Sequence, residues 1–131
     1  ANVFHNMEGM MSSPTIRIVE HIRSRLDEPI QLIQEYRKQN IPVLKKALER
    51  LGIEWTPPPT GVFGAFRVPG VNTIEMIDTI GKEHGLLAVP GCMFGFEMDE
   101  WLRVGWSIAP EDFAEAVTVL ETVLRTAMDI P

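Results

Sequence analysis

The chain has 131 residues, of which 45% are hydrophobic and 23% charged, a composition typical of one globular domain with its own core. Its formal net charge of -6 disfavours binding to nucleic acid or to an anionic membrane surface. The only cysteine, Cys92, excludes an internal disulfide and indicates a reducing compartment such as the cytoplasm. No stretch is apolar over the length of a membrane span, and no signal peptide is visible. Since the sequence starts without methionine, we expect a processed, tagged or excised piece.

The first part of the chain predicts a loosely ordered segment followed by a helix. Residues 1–12 contain Met and Phe without a helical or strand period. Ser13 is a good N-cap and Pro14 a good first helical residue. The helix that they open has one apolar stripe, formed by Ile18, Val19, Ile22 and Leu26.

A second helix is predicted from Asp27 to Gly52. Its apolar side comprises Ile33, Tyr36, Leu44, Ala47, Leu48 and Leu51, and Gly52 closes it. Pro42 lies inside this pattern and is expected to kink the helix or to split it near Gln39-Asn40. The intervening charged residues indicate a solvated face: Arg37, Lys38, Lys45, Lys46, Glu49 and Arg50.

A stiff, extended segment from Trp55 to Gly61 precedes the first strand. Consecutive prolines favour the polyproline conformation, so the segment is either a rigid lead-in to a strand or a docking ligand for another domain. The residues from Val62 to Val68 are strand-like. Gly61 and Gly64 indicate a bulge or a close approach of another group to the backbone.

The remaining pattern completes an α/β fold. Asn72 and Glu75 have the spacing of a capping box for a helix that ends at Gly85. Leu86 to Val89 predicts a short buried strand, and Pro110 starts the last helix. The buried sides are predicted as Ile74, Ile77 and Ile80, then Phe113, Ala116, Val117, Leu120 and Leu124. The order α-α-β-α-β-β-α predicts a two-layer α/β sandwich, a small sheet covered by helices on one face.

One arginine stands out between Val89 and Ser107. Arg103 lies in a strand-like apolar run, with Leu102 and Val104 on the opposite face of the pleat. A buried guanidinium without an anionic partner is costly, and its planar fork suits a carboxylate. Three interpretations remain open at this point: a structural salt bridge, an edge residue whose charged end snorkels to solvent, or a site for an anionic ligand.

Other chemical signals are weak. His5, His21 and His84 are far apart and have no metal-ligand spacing with Cys92. No base can be named that would activate the Cys92 thiol. Glu97, Asp99 and Glu100 could do acid–base work but are expected to face solvent, and Trp101 and Trp106 are expected to pack. The sequence contains no phosphate-binding glycine motif and therefore predicts no nucleotide site.

Three motifs in order resemble one enzyme family. Pro59-Thr60-Gly61-Val62-Phe63 resembles the strand entry of class I/II aminotransferases, the fold-type I enzymes that use pyridoxal phosphate. Val89-Pro90-Gly91-Cys92-Met93-Phe94-Gly95 resembles their Pro-Gly loop, and Leu102-Arg103-Val104-Gly105 their arginine strand. The resemblance covers roughly Ser13 to Met128 and is closest from Trp55 onward. It implies that residues 13–131 are the C-terminal small domain of such an enzyme.

The resemblance carries further implications for function. Arg103 would bind the α-carboxylate of an amino acid or 2-oxo acid, and Gly61, Phe94, Gly95 and the loop from Pro90 to Phe96 would border that substrate.

The family's Schiff-base lysine has no counterpart among Lys38, Lys45, Lys46 and Lys82. We therefore expect pyridoxal phosphate to be held by a large domain absent from this chain, which alone would be inactive. A homo-oligomer is expected. The alternatives are the small domain of a related lyase or synthase, and a stand-alone module that binds a protein partner.

Overall fold

The computed structural model describes residue 22 and residues 25–86, 88–95 and 97–131 of the chain. The predicted loose segment 1–12 and most of the helix predicted from Ser13 lie outside the described residues. The chain divides into two units, and the larger one, Ile33–Pro131, contains the whole sheet and all candidate site residues. No helix among the described residues combines the length and the apolar character needed to cross a membrane.

Helix α1 (Asp27–Arg50) begins with two acidic residues and ends with an arginine, which suits its dipole. Its later turns are buried as predicted, through Leu44, Ala47 and Leu48, whereas Ile33 is 37% exposed. The helix runs without interruption through Pro42, so it is not split near Gln39-Asn40. The lost backbone hydrogen bond is outweighed by packing, because the buried residues Asn40 and Leu44 anchor the helix on both sides of Pro42.

The sheet has three antiparallel strands, β1 (Phe63–Arg67), β2 (Val89–Pro90) and β3 (Trp101–Gly105), in the order β1-β3-β2. The first strand and the third lie where the pattern predicts them. The strand predicted at Leu86 begins only at Val89, because the Leu86 N–H donates to the Gly81 carbonyl (2.8 Å) and closes the preceding helix instead.

A helical run connects β1 to β2. It consists of α2 (Thr73–Met76), a π-helical turn (Ile77–Gly81) and α3 (Lys82–His84). As predicted, the Asn72 side chain caps its start and Gly85, with φ of 71°, ends it. Ile74 is 36% exposed and was wrongly predicted as buried. The Thr73 hydroxyl lies 2.8 Å from the Trp101 carbonyl, which turns Thr73 and Met76 inward instead.

Helix α4 (Pro110–Ala127) starts at Pro110 as predicted and buries Phe113, Val117, Leu120, Val123 and Leu124. Ala116, predicted on the buried side, is exposed. Together with α1, this helix covers a core that includes Phe66 (1% exposed), Leu102 (0%) and Trp106 (0%). Phe66 and Leu102 point to the covered side of the sheet, whereas Phe63 and Arg103 lie on its other side, which we call the open face. The architecture is the predicted mixed α/β sandwich; most of its first predicted helix lies outside the described residues.

Candidate functional site

Arg103 occupies the centre of the open face. It lies in the middle strand, β3, directly opposite Ala65 on β1 and Val89 on β2. Strand alternation directs Leu102 to the core face, where it is fully buried, and leaves the Arg103 side chain partly exposed. Because both cross-strand neighbours have small side chains, the sheet leaves room beside the guanidinium.

Two phenyl rings hold the guanidinium. The Arg103 Cζ atom lies over the Phe63 ring, 4.7 Å from its centroid, and over the Phe94 ring, 5.9 Å from its centroid. Phe63 belongs to β1, two residues from Ala65, and so shares the open face with Arg103. Phe94 follows the short 3-10 turn Gly91–Met93. The sequence resemblance pointed to Phe94. Phe63 could be identified as a contact of Arg103 only from the register of β1 against β3.

No carboxylate among the described residues pairs with Arg103. The ion pairs of the described chain involve Arg50, Arg67, Lys82 and Arg125. In the nearby acidic cluster, Glu100 is occupied: it accepts from the Arg67 guanidinium (2.6 Å) and from the Gly70 N–H (2.8 Å). The Gly70 N–H first, and then Arg67, hold the pKa of Glu100 below its usual value. The interpretation of Arg103 as half of a structural salt bridge therefore finds no partner within the described chain.

Two cavities meet at Arg103. One has a volume of about 480 Å³ and the other of about 410 Å³, and among the described residues Arg103 is the only charged one that lines either of them. The smaller cavity is lined by Thr56, Pro58, Phe63, Gly64, Ala65, Phe94 and Arg103. The larger extends past Val89 and Val104 towards Phe113 and Leu120. A ligand here would meet one cation with several donors, surrounded by mainly apolar groups.

The loop that carries Phe94 is sterically fixed. A side chain at Gly91 would overlap the Met98 carbonyl oxygen, and one at Gly95 would come within 2.5 Å of the Met98 sulfur. The amides of Phe94 and Gly95 donate to the Gly91 carbonyl (3.0 and 3.1 Å). The glycines of the predicted Pro-Gly loop therefore permit a tight turn that brings Phe94 to Arg103.

The segment that leads into β1 is held by two buried or partly buried side chains. Trp106 Nε1 donates to the Gly61 carbonyl (3.0 Å), as does Arg37 Nη1 (3.1 Å). Arg37 also donates to the Pro58 carbonyl and lies over the Trp106 ring, 5.4 Å from its centroid. The prediction that Arg37 belongs to a solvated face is wrong, because it ties α1 to the proline-rich segment. That segment is a lead-in to β1, the first of its two interpretations.

The structure places the predicted site residues in two groups. Arg103 and Phe94 meet at the cavities, whereas neither Gly61 nor Gly95 lines them. Gly61 lies at the entry to β1, and Gly95 supports the loop beside Met98. Of the two tryptophans that were expected to pack, Trp106 is fully buried and Trp101 partly buried; Cys92 is exposed.

The described residues do not form a metal site or a site for covalently held pyridoxal phosphate. Among them, no group of three His, Cys, Asp or Glu side chains could hold a metal ion. All four lysines, Lys38, Lys45, Lys46 and Lys82, are exposed and none lines a cavity with Arg103. An exposed lysine lacks the desolvated or cationic setting that activates its amine. None of these four lysines is therefore in such a setting within this chain.

Comparison with known sequences gives a family match. The sequence profile of the aminotransferase class I and II family matches residues 8–120. No protein in the curated set matches the chain.

Solved structures show the same fold. A multiple substrate aminotransferase from Thermococcus profundus is 28% identical, with a TM-score of 0.66 over 82% of this chain and 28% of that chain. An α-aminoadipate aminotransferase from Thermus thermophilus, solved with N-(5'-phosphopyridoxyl)-L-leucine, is 22% identical, with a TM-score of 0.66 over 86% and 30%. An aromatic aminotransferase from Pyrococcus horikoshii is 22% identical, with a TM-score of 0.61 over 88% and 28%. This chain therefore spans less than a third of each of these proteins.

Proposed function

The chain belongs to the class I and II aminotransferase family, and we propose that residues 13–131 are the C-terminal small domain, supplying the arginine that binds the substrate α-carboxylate. The observation that carries this proposal is the state of Arg103. Its guanidinium lies between two rings at the junction of two cavities, and no described carboxylate occupies it.

The chemistry of arginine suits this role. A guanidinium presents two parallel N–H donors that match the two oxygens of a carboxylate. An amino acid and its 2-oxo acid both carry an α-carboxylate, so the same residue would hold the amino donor and the acceptor. Phe94 would border the bound molecule, while Gly61 and Gly95 would shape the backbone around it. Closure of this domain on the substrate would exclude water.

The chemical step would rely on residues outside this chain. The four lysines present do not fit a pyridoxal phosphate site, so we propose that the cofactor and its lysine lie in a large domain that this domain contacts. A homo-oligomeric assembly and a cytoplasmic location remain predictions. The small domain of a related lyase or synthase remains the main alternative, since an α-carboxylate clamp would serve those reactions as well. The other alternative is a stand-alone module that binds a protein partner. This alternative gives no reason for an arginine that pairs with no described carboxylate.

The test is kinetic and uses the intact enzyme that contains this domain. Charge-assisted hydrogen bonds contribute roughly 1.5–3 kcal/mol each, so Arg103→Ala should lower kcat/KM for an amino acid on the order of 100-fold or more. Arg103→Lys should also be impaired, because an ammonium cannot reproduce the bidentate fork. The loss should be much smaller for the matching amine without a carboxylate.

Arg67→Ala is the matched control. Arg67 lies on the same face of the sheet but is paired with Glu100 at 2.5 Å, so its removal should affect both substrates equally and weakly. Equal losses on both substrates for Arg103→Ala would contradict the carboxylate role and would favour a structural one.

A further inference from the structure

We infer that Phe63 and Phe94 are positioning residues, whose rings hold the Arg103 guanidinium so that its N–H edge stays available to a carboxylate. The inference rests on the proposed role of Arg103 and assigns two residues that act through it. Phe63 was predicted only as a strand residue, and Phe94 only as a residue bordering the substrate.

The two rings approach the guanidinium from independent elements. Phe63 comes from β1 and Phe94 from the loop after β2, with centroids 4.7 and 5.9 Å from Arg103 Cζ. Both distances lie within the range of cation–π contacts. Neither ring belongs to the core, since Phe63 is 53% and Phe94 37% exposed. Burial alone therefore does not account for the position of either ring beside the cation.

The two rings order the side chain of an arginine that has no described carboxylate of the protein as its partner. A free arginine side chain samples many rotamers, and ordering it on ligand binding weakens affinity. A carboxylate of the protein would order it but would also occupy the donors. Aromatic rings attract the cation through the guanidinium face, while its five N–H donors lie in the guanidinium plane. Stacking therefore orders the side chain and leaves the hydrogen-bonding edge free.

Fluorination of Phe63 separates this role from packing. Fluorine atoms on the ring progressively cancel its quadrupole while changing its size little. We propose to incorporate 4-fluoro-, 3,4,5-trifluoro- and pentafluorophenylalanine at position 63 of the full chain. The dissociation constant for pyruvate would be measured by NMR titration that follows the pyruvate methyl signal, so that the same readout serves every variant, including Arg103→Gln. It should rise stepwise, by about 2- to 5-fold in total for the pentafluoro ring, and Phe63→Tyr should stay near wild type.

A second set of variants tests Phe94. Phe94→Leu keeps an apolar group but removes the ring, so pyruvate affinity should fall by about 2-fold, the low end for an exposed cation–π pair. Met93→Leu is the matched control, because Met93 is the preceding loop residue, is 70% exposed and lines neither of the two cavities at Arg103. It should leave the affinity unchanged.

Arg103→Gln distinguishes failure of this inference from failure of the proposed function. If Arg103→Gln removes pyruvate binding but the fluorinated series and Phe94→Leu bind as wild type does, the positioning role is overturned and the carboxylate role stands. If wild type and Arg103→Gln bind pyruvate equally, or neither binds it, both are overturned. A stepwise loss along the fluorinated series, together with loss of binding in Arg103→Gln, supports both.

Discussion

At the scale of single residues, Arg103 differs from the other arginines whose contacts the structure describes. Arg50, Arg67 and Arg125 each pair with a glutamate, and Arg37 donates to two backbone carbonyls. Each of these four therefore has a structural task. Arg103 contacts two rings and directs its donors to no described acceptor, which is compatible with its proposed role in binding a carboxylate.

The site also depends on Gly64, at the inner side of β1. A Cβ atom there would lie 2.9 Å from the Trp106 ring and 3.2 Å from Pro58 Cδ. Trp106 is fully buried and its Nε1 is bonded to the Gly61 carbonyl, so the indole cannot move away without losing that bond. Gly64→Ala should therefore lower the free energy of unfolding by about 1–3 kcal/mol. Urea denaturation should show a lower midpoint with an unchanged m-value.

Gly105→Ala is the matched control for this prediction. Gly105 pairs with Phe63 in the same sheet, and its added Cβ would meet only the Val62 carbonyl, at an ordinary 3.5 Å. Its unfolding midpoint should stay close to wild type. An equal loss in the two variants would show that the cost comes from the strand backbone and not from Trp106.

At the scale of elements, one carboxylate joins the two long helices. Glu121 on α4 accepts from Arg50 at the end of α1 (3.1 and 2.7 Å) and from Arg125 (3.0 Å). The Arg50 guanidinium, more than Arg125, lowers the pKa of Glu121 from 4.5 to about 2. The folded chain therefore binds fewer protons at this group than the unfolded chain does between these two values.

This pKa shift predicts a pH-dependent contribution to stability. The contribution is fully present well above pH 4.5, declines as the pH falls through about 4.5, and is lost near pH 2. Because Arg50 is 54% exposed, solvent screening limits the contribution to about 1 kcal/mol. The free energy of unfolding of wild type should exceed that of Glu121→Gln at pH 7, and the two should converge near pH 2.

The quantity to compare is the difference in the free energy of unfolding between wild type and Glu121→Gln. The lowered pKa of Glu100 changes the stability of both proteins in the same direction. Glu115→Gln on the same helix is the control, because Glu115 is exposed and makes no ion pair among the described residues. A wild-type advantage over Glu121→Gln that persists unchanged at pH 2 would contradict the ion-pair origin.

The elements also show which features the sequence could predict. Asn72, Gly85 and Pro110 mark helix ends through interactions within a few residues, and all three were predicted correctly. Arg37 was misassigned because its partners, Pro58 and Gly61, lie more than 20 residues away. Phe63 was missed because its contact with Arg103 depends on the register of β1 against β3. Local rules therefore predicted the fold and singled out Arg103, but they did not predict its contact with Phe63.

At the scale of the whole molecule, the chain covers less than a third of the aminotransferases that it resembles in structure. Phe63, Phe94 and Val62 line the cavities and are 53%, 37% and 40% exposed. Such an apolar rim around a charged group suits contact with further protein. The large domain and a second copy of the chain remain the predicted partners.

The proposal that the cofactor is held by a large domain predicts how this chain responds to pyridoxal phosphate. None of Lys38, Lys45, Lys46 and Lys82 lines the cavities at Arg103, and Lys82 pairs with Asp78 at 3.2 Å. Incubation with pyridoxal phosphate followed by borohydride should therefore label no single lysine stoichiometrically. Peptide mass mapping would measure the occupancy of each lysine, with an intact class I or II aminotransferase as the positive control. Lys82→Arg should leave the pattern of weak labelling at the other three lysines unchanged. Stoichiometric labelling of one lysine, abolished by its replacement with arginine, would show that this chain holds the cofactor itself, and the proposed division of labour would be wrong.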